Sequence, residues 1–501
     1  MTTLVSKIWY GTFHDRSDVK RPHLVPTLMW IAFLMLIVSI RLALPFHETE
    51  SMQVHARAAD ALLAGKVWGR QILVSSLEFP PLATVALLVV RTAAGWTHIP
   101  AAYLLVAICQ TWTVCYLVRI PRTLQTRLVA VATLAAAMLS PELRALVLTA
   151  DPNWIAAVPA TCALYHLIRW DENSALRDAV LVGVNCGILA VAGPPAFCLG
   201  FVLLTVSSLH LRHLVTDHPD GDIRGLHLLL WTPFCYCAML LLLANWLIMR
   251  NVLFLFTRLW DASPGGPGLH GDLATQLALT PWIAVAGLVA CSLCFGGRTR
   301  VASLATALAV ATLAAVQALS ATLRLLPPGS VVLLVTFGLA GLVFPAARWT
   351  HPGIPRWHRL LIGSVTAALL ALTILRRTPQ RELPAPNLAL APHPGQITAY
   401  VDRHWARGRI LVHVTRAPAL YLDLHESRFI ARADYREDFL LQLASEEQLH
   451  LLVPPDNGWH YGPEDSGLAA IHNQGKPWLF LETTWPGGWQ LWRCVIVPDD
   501  E

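Results

Sequence analysis

Long apolar runs dominate the first three quarters of the chain. Candidate spanning stretches are 24–45, 100–118, 128–148, 152–170, 178–193, 195–211, 227–249, 276–295, 301–321, 331–347 and 360–375. Each approaches the roughly 20 apolar residues that a helix needs to cross a bilayer. The runs are continuous rather than alternating, which predicts helices and not a barrel. A further apolar stretch, 81–96, is shorter and is interrupted by Arg91. It reads as a re-entrant or interfacial helix. The expected fold class is an all-α polytopic membrane protein of about 11 spans.

The pattern changes after residue 376. Residues 377–394 are Pro-rich, with Pro379, Pro384, Pro386, Pro392 and Pro394, and read as a linker. Residues 395–501 read as a small soluble α/β domain. Ile410–Thr415, Leu449–Val453, Trp478–Leu481 and Trp489–Val497 are the expected strands, and Asp434–Ser445 the expected helix. Trp is frequent in this tail, as in chains that touch a membrane interface.

Composition supports the membrane reading. Hydrophobic residues make up 55% of the chain, charged residues 14%, and mean hydropathy is +0.51. A soluble domain carries about 25% charged residues. The charge is also uneven. Residues 1–376 hold 26 Lys+Arg and 16 Asp+Glu, a net of +10; residues 377–501 hold 11 and 16, a net of −5. The basic residues of the first part sit in short clusters between apolar runs, where they set topology. Nucleic acid is not implied, because a binding face would carry a stripe.

The positive-inside rule then fixes the orientation. Residues 1–23, with Lys7, Arg16, Lys20 and Arg21, read as a cytoplasmic N-terminus and not as a cleaved signal. The membrane part is 24–376. Cytoplasmic loops hold Arg119/Arg122/Arg127, Arg169/Arg177, Arg212/Arg224, Arg298/Arg300 and Arg348/Arg356/Arg359. The outside then receives a long first loop, 46–99, a short turn at Asp151, the Gly193-Pro194-Pro195 break, 250–275, 322–330 and the tail. The expected location is the cytoplasmic (inner or plasma) membrane. Cysteine adds little. Most of the ten lie in apolar runs and behave as small hydrophobes. His213, His218, His351 and His358 lack metal-ligand spacing. Asn185 and Asn245, inside spans, are expected to hydrogen-bond across helices.

The first outside loop carries the most chemistry. It reads Phe46-His-Glu-Thr-Glu-Ser51, then an amphipathic stretch Met52–Ala64, then Gly65, and closes on Leu77-Glu-Phe-Pro-Pro-Leu82. The stretch puts Val54, Ala58, Ala61 and Leu62 on one side and Gln53, Arg57 and Asp60 on another, as a helix lying on a membrane surface would. Glu48, Glu50 and His55 cluster beside the bilayer. Taken alone, the two acids are solvated residues favoured by a helix N-terminus. Asp151, followed by Pro152, carries a helix start signal.

Together these features resemble the GT-C superfamily of integral membrane glycosyltransferases. The resemblance is to the bacterial branch akin to protein O-mannosyltransferases and the lipid A aminoarabinose transferase. It rests on an acid directly after the first span (Glu50), an amphipathic helix ending near Gly65, and Glu78-Phe-Pro-Pro-Leu82. A second-loop acid, Asp151, follows 101 residues after Glu50 (151 − 50), and Arg324 in Leu323-Arg-Leu-Leu-Pro-Pro328 closes a late span. It covers roughly residues 24–350. Each motif is weak alone; their order and shared outside location are more specific.

The resemblance implies an inverting transfer of a sugar from a polyprenyl-phosphate donor to a lipid, glycan or protein acceptor at the outer face. Glu50 would be the general base, with Glu48 as the fallback. Asp151 would orient the acceptor or a divalent metal, and Glu78 and His55 would face the substrates. Arg324 would hold the donor phosphate, with Arg57, Arg258, Lys66 and Arg70 as alternatives. No resident cofactor is implied beyond that metal. Two positions depart from the family: Glu50 stands where Asp is usual, and Gly193-Pro-Pro stands where a Lys is frequent. A lipid-linked glycan transporter and an inactive scaffold of the same fold are the competing readings. The chain has no internal repeat, and its acids gather at the membrane edge, which argues against a transport path.

Overall fold

The computed structural model describes residues 47–48, 50–63, 65, 73, 80–94, 100–120, 127–128, 130–131, 134, 146–173, 175–216, 223–249, 252, 300–323, 331–348, 394–404, 409–413, 429–432, 449–453, 471–486 and 488–495. Strand β1 (His47–Glu48) leads into helix α1 (Glu50–Leu63), followed by α2 (Pro81–Ala94) and α3 (Ala101–Arg119). Strand β2 (Thr149–Ala150) precedes α4 (Asn153–Asn173), α5 (Leu176–Ala190), α6 (Pro194–Thr216) and α7 (Ile223–Met249). Helices α8 (Arg300–Leu323) and α9 (Val331–Arg348) complete the described helical part.

The helices α3 to α9 coincide with seven of the apolar stretches predicted from sequence, within a few residues at each end. Among the described residues, Ala101–Arg119, Pro194–Leu211 and Arg224–Ile248 are long and apolar enough to cross a membrane. The chain is a membrane protein. Stretches 24–45, 276–295 and 360–375, and most of 128–148, lie outside the described residues. Helix α2 has 14 residues. At 1.5 Å per residue it reaches about 21 Å, short of the bilayer core.

Helix α4 is the centre of the bundle and touches α3, α5, α6, α8 and α9. Small residues on α4 (Ala156, Ala157, Ala160, Ala163) are buried and allow these close approaches. Side-chain pairs give the helix directions. Tyr116 of α3 meets Tyr165 of α4 at 5.3 Å between ring centroids, far from the start of either helix, so the two run parallel. His166 of α4 meets Asp178 of α5 across a tight turn, so these run antiparallel. Trp231 of α7 donates to Ser208 of α6 at 2.9 Å, while Phe234 packs on Phe197, so these are antiparallel as well.

The closest approach lies between α5 and α7. A Cβ on Gly187 would sit 2.8 Å from the carbonyl oxygen of Pro233, and one on Gly183 would sit 2.8 Å from that of Leu230. The obstructing atoms are backbone, so they cannot rotate away. Polar side chains inside the bundle mostly bond to their own helix. Asn185 and Asn245, expected to reach across helices, donate instead to Leu181 and Leu241 of their own helices, at 2.7 and 3.0 Å. A carbonyl four residues back is always within reach of a short amide, whereas a cross-helix acceptor needs a facing orphan.

One end of the bundle carries paired charges. His166 Nδ1 and Asp178 Oδ1 are 2.7 Å apart, Arg169 lies 3.8 Å from the same carboxylate, and His210 is 3.4 Å from Asp171. The Trp170 ring meets His210 edge-on at 5.4 Å. These contacts join the C-terminal ends of α4 and α6 to the N-terminal end of α5.

The C-terminal residues form a five-stranded mixed sheet, in the order β4-β3-β5-β7-β6, from β3 (Arg409–His413), β4 (Phe429–Arg432), β5 (Leu449–Val453), β6 (Leu479–Thr484) and β7 (Gln490–Cys494). Strand β3 is parallel to β4 and β5; β7 is antiparallel to β5 and β6. Leu449, Leu451, Val453, Ile471, Leu479 and Trp492 build its core. Helix α10 (Pro394–His404) precedes the sheet, and Tyr400 donates to the Glu482 carbonyl of β6 at 3.1 Å. Four strands match the expectation. Strand β4 was not expected: its apolar run is only Phe429-Ile-Ala431, closed on both sides by Arg428 and Arg432. Helix α10 starts on Pro394, the last residue of the expected linker, where proline suits a first helical position. The expected helix Asp434–Ser445 lies outside the described residues.

The α5–α7 contact predicts that Gly187→Val lowers the thermal midpoint of the detergent-purified protein, with an overpacking cost on the order of 1–3 kcal/mol. An unchanged midpoint would show that the two helices separate without penalty.

Candidate functional site

The other end of the bundle brings together the segments that carry Glu48, Glu50 and Asp151. Strand β1 pairs in parallel with β2, with His47 opposite Thr149 and Glu48 opposite Ala150. Paired strands lie about 4.8 Å apart. The backbone of Glu48 therefore stands beside the residue preceding Asp151, and Glu50 opens α1 two residues later. Segments separated by a hundred residues in sequence, the first-loop acids and the second-loop acid, thus meet at one place.

Asp151 is partly buried in the turn between β2 and α4. Its Oδ1 accepts from the backbone N–H and the side-chain amide of Asn153, both at 2.8 Å. This is capping of the start of α4, with Pro152 filling a position that needs no donor. Burial pushes the Asp151 carboxyl above its ordinary range, and the two Asn153 hydrogen bonds oppose that shift. A carboxyl whose pKa is raised by burial, at the meeting point of two loops, is suited to hydrogen-bonding with a bound hydroxyl.

Helix α1 is fixed to α2 along its length. Met52, His55, Ala58 and Ala59 are buried, and His55 Nδ1 and Thr84 Oγ1 are hydrogen-bonded at 2.8 Å. One and a half turns on, Asp60 forms an ion pair with Arg91. His55 matches Thr84 and Asp60 matches Arg91, so α1 and α2 run in the same direction. The buried face of α1 includes the predicted Ala58 but also takes in His55, which is fully buried. Burial drives the His55 pKa down from 6.5 to about 3, so the ring is neutral. Gly65, with φ 72°, stands just past the end of α1, where its N–H returns to the Leu62 carbonyl at 3.0 Å.

The Pro-Pro motif joins the same end. Gly193 has φ 110°, and a Cβ there would lie 3.3 Å from Cγ of Pro80. The segment entering α2 therefore presses on the Gly-Pro-Pro break between α5 and α6. Only glycine holds this φ without strain. Arg57 lies on α1. Glu78, two residues before Pro80, and Arg324, directly after the end of α8 at Leu323, lie outside the described residues, as do Lys66, Arg70 and Arg258. Among the described residues, no group of three or more His, Cys, Asp or Glu side chains has the geometry to hold a metal ion.

Sequence reasoning missed two residues that shape this end. Gln110, buried within α3, donates from Nε2 to the Val147 carbonyl at 2.9 Å. Trp154 of α4 donates to the neighbouring Leu146 carbonyl at 3.4 Å. A lone Gln in an apolar run was the available signal for the first.

The fold can now be compared with known proteins. No protein-family model matches the sequence, and no curated protein sequence is similar to it. Among solved structures, the chain is similar to ArnT from Cupriavidus metallidurans, whose crystal structure holds undecaprenyl phosphate. The TM-score is 0.50 and the identity 12%, over 95% of this chain and 99% of that one. The likeness is one of fold, and it extends beyond residues 24–350, where the sequence motifs lie.

Two pH responses follow. In the unfolded chain His55 titrates near 6.5, so its buried neutral ring has no protonation cost above that value. Stability should fall as pH drops from 6.5 towards about 3, and His55→Asn should flatten this limb of a plot of thermal midpoint against pH. For Asp151 the sign is opposite, because its raised pKa favours the protonated fold. Stability should fall as pH rises from 3.8 through the raised value. Asp151→Asn keeps a capping side chain and removes that cost, so its midpoint at neutral pH should exceed that of the wild type. A lower midpoint would show that the carboxylate itself is stabilising.

Proposed function

We propose that the protein is a GT-C-type glycosyltransferase that moves a sugar from a polyprenyl-phosphate donor to an acceptor at the outer face of the cytoplasmic membrane. The observation that supports this reading is the β1–β2 pairing, in which the backbone of Glu48 lies opposite Ala150, next in sequence to Asp151. The undecaprenyl phosphate held by the ArnT structure supports a polyprenyl-phosphate donor.

The chemistry follows from the bilayer. A polyprenyl chain keeps the donor in the membrane, so transfer takes place where its phosphate reaches the surface. Glu50 acts as general base, taking the acceptor hydroxyl proton as that oxygen attacks the anomeric carbon; the bond from that carbon to the donor phosphate oxygen breaks. A base needs its oxygen within about 3 Å of the proton, and Glu has one more methylene than Asp with which to reach. One direct displacement inverts the anomeric configuration. Glu48 is the second candidate for the base. Asp151 orients the acceptor, and Glu78 faces the sugar. Arg324 takes the charge that develops on the leaving phosphate, through the planar donor pair that suits phosphate oxygens. Arg57 and Arg258 are the alternative phosphate partners. His55, neutral and bonded to Thr84, holds α1 against α2 and with it the backbone at Glu50.

The domain organisation belongs to the same reading. Residues 1–23 are cytoplasmic, 24–376 form the transferase bundle with its first outer loop 46–99, 377–394 connect, and 395–501 lie outside. The charged pairs around Asp178 and Asp171 then sit at the cytoplasmic end, among the basic clusters.

The test is transfer in liposomes from radiolabelled undecaprenyl-phosphate sugars, comparing wild type with Glu50→Gln and Glu48→Gln. Losing the base should lower turnover by about 10²–10⁴-fold. If Glu50→Gln transfers at the wild-type rate and Glu48→Gln does not, the base is Glu48. A wild type that transfers no sugar to any acceptor, while moving lipid-linked glycan across the bilayer, would sink the reading in favour of transport.

A further inference from the structure

Polar side chains within the described helices mostly satisfy themselves on their own backbone. Thr111, Thr161, Ser207 and Thr336 each donate to the carbonyl four residues back, at 2.7–2.8 Å. Gln110 differs. It is 2% exposed, and it reaches a carbonyl 37 residues further along the chain, at Val147.

That carbonyl has a particular status. Residues 146–148 are helical, and the chain leaves the helix at Thr149 to form β2. Had the helix continued, the N–H of Asp151 would have closed on Val147. It donates instead to the Thr149 carbonyl at 3.1 Å. Pro152 has no N–H, so the Leu148 carbonyl loses its helical partner as well. Helix ends leave such carbonyls orphaned, and in a dry bundle each unmet one is costly. Gln110 of α3 meets Val147, and Trp154 of α4 meets Leu146. Side chains on a helix lean towards its N-terminus, so Gln110 leans towards the end of α3 that carries the candidate site.

We infer that Gln110 is a positioning residue, whose amide, by holding the Val147 carbonyl, sets where β2 begins and hence the spacing of Glu48 and Glu50 from Asp151. The inference rests on the reading that these carboxylates form the transfer site. The geometric part of it stands apart from any activity. Without the amide, the 146–148 turn loses its side-chain tie to α3, and its end can shift by a residue. A slip of one residue in β2 puts a different residue opposite Glu48 and moves Asp151 by about 3.3 Å.

The test reads register and catalysis separately. In the full-length protein in liposomes, the pair His47→Cys and Thr149→Cys, opposite each other in the ladder, is oxidised with copper-phenanthroline. The cross-linked peptide is then quantified by mass spectrometry. Adding Gln110→Leu should slow formation of this cross-link by about tenfold, while the thermal midpoint still reports a folded bundle. Gln110→Glu supplies the second arm. Its buried carboxyl, when protonated, donates to the Val147 carbonyl as the amide does; when ionised, it only accepts. Relative to the parent pair at the same pH, cross-linking should therefore match at low pH and fall as pH rises. In enzyme with the native residues at 47 and 149, Gln110→Leu should lower kcat by about tenfold or more for transfer from radiolabelled undecaprenyl-phosphate hexose, with KM for that donor unchanged. Cross-linking at the parent rate in Gln110→Leu overturns the inference. So does a Gln110→Glu profile that follows the parent at every pH. A wild type without transferase activity sinks the proposed function, while the cross-linking arms still decide the role of Gln110.

Discussion

Two residues of parallel strand, His47–Glu48 against Thr149–Ala150, hold the proposed chemistry together. So short a ladder would not survive alone in water. It lies within packed protein. Ala150 is fully buried among α3 and α4, and the preceding carbonyls are held by Gln110 and Trp154. In a membrane bundle, a break between helices is tolerated only where protein meets each freed N–H and C=O. The break at residues 149–152 is such a place, and it sets irregular backbone and the Asp151 carboxyl at the start of α4.

The same logic explains the contrast between the two ends of the bundle. Around Asp178 and Asp171 the carboxylates meet His166, Arg169 and His210, and these contacts tie helices to one another. Around Asp151 the described partners are the amide and backbone of Asn153, which are neutral donors. Close approaches without side chains frame this end as well. Gly193, with its left-handed backbone, lets Pro80 press on the break between α5 and α6. The first loop is thereby anchored at both of its margins, by β2 at its start and by Gly193 at its close.

Much of this was legible in the sequence, and the reasons differ from element to element. The apolar runs announced α3 to α9 because a spanning helix must be apolar over its whole length. Gly65 marked the end of α1 because a left-handed residue there favours glycine. Asp151-Pro152 announced the start of α4 because capping is a local bond. The strands of the tail with strong β-branched or aromatic runs were legible too. Strand β4 was not, because its pairing with β3 and not its composition makes it a strand. Asn185 and Asn245 misled because a sequence does not reveal whether a facing carbonyl is free. His55 stood out as a candidate ligand, yet its burial against Thr84 depends on how α2 lies along α1.

Sequence alone thus determined which segments form the long apolar helices and where several of them start and stop. Each of these depends on local composition, which is written residue by residue. Tertiary structure alone decided that Glu48 stands next to Ala150, that Pro80 closes on Gly193, and that Gln110 donates to the Val147 carbonyl. These contacts join residues 37 to more than a hundred positions apart. They arise because orphaned backbone groups and small residues accept whichever partner the packed bundle brings to them, and no local pattern encodes that partner.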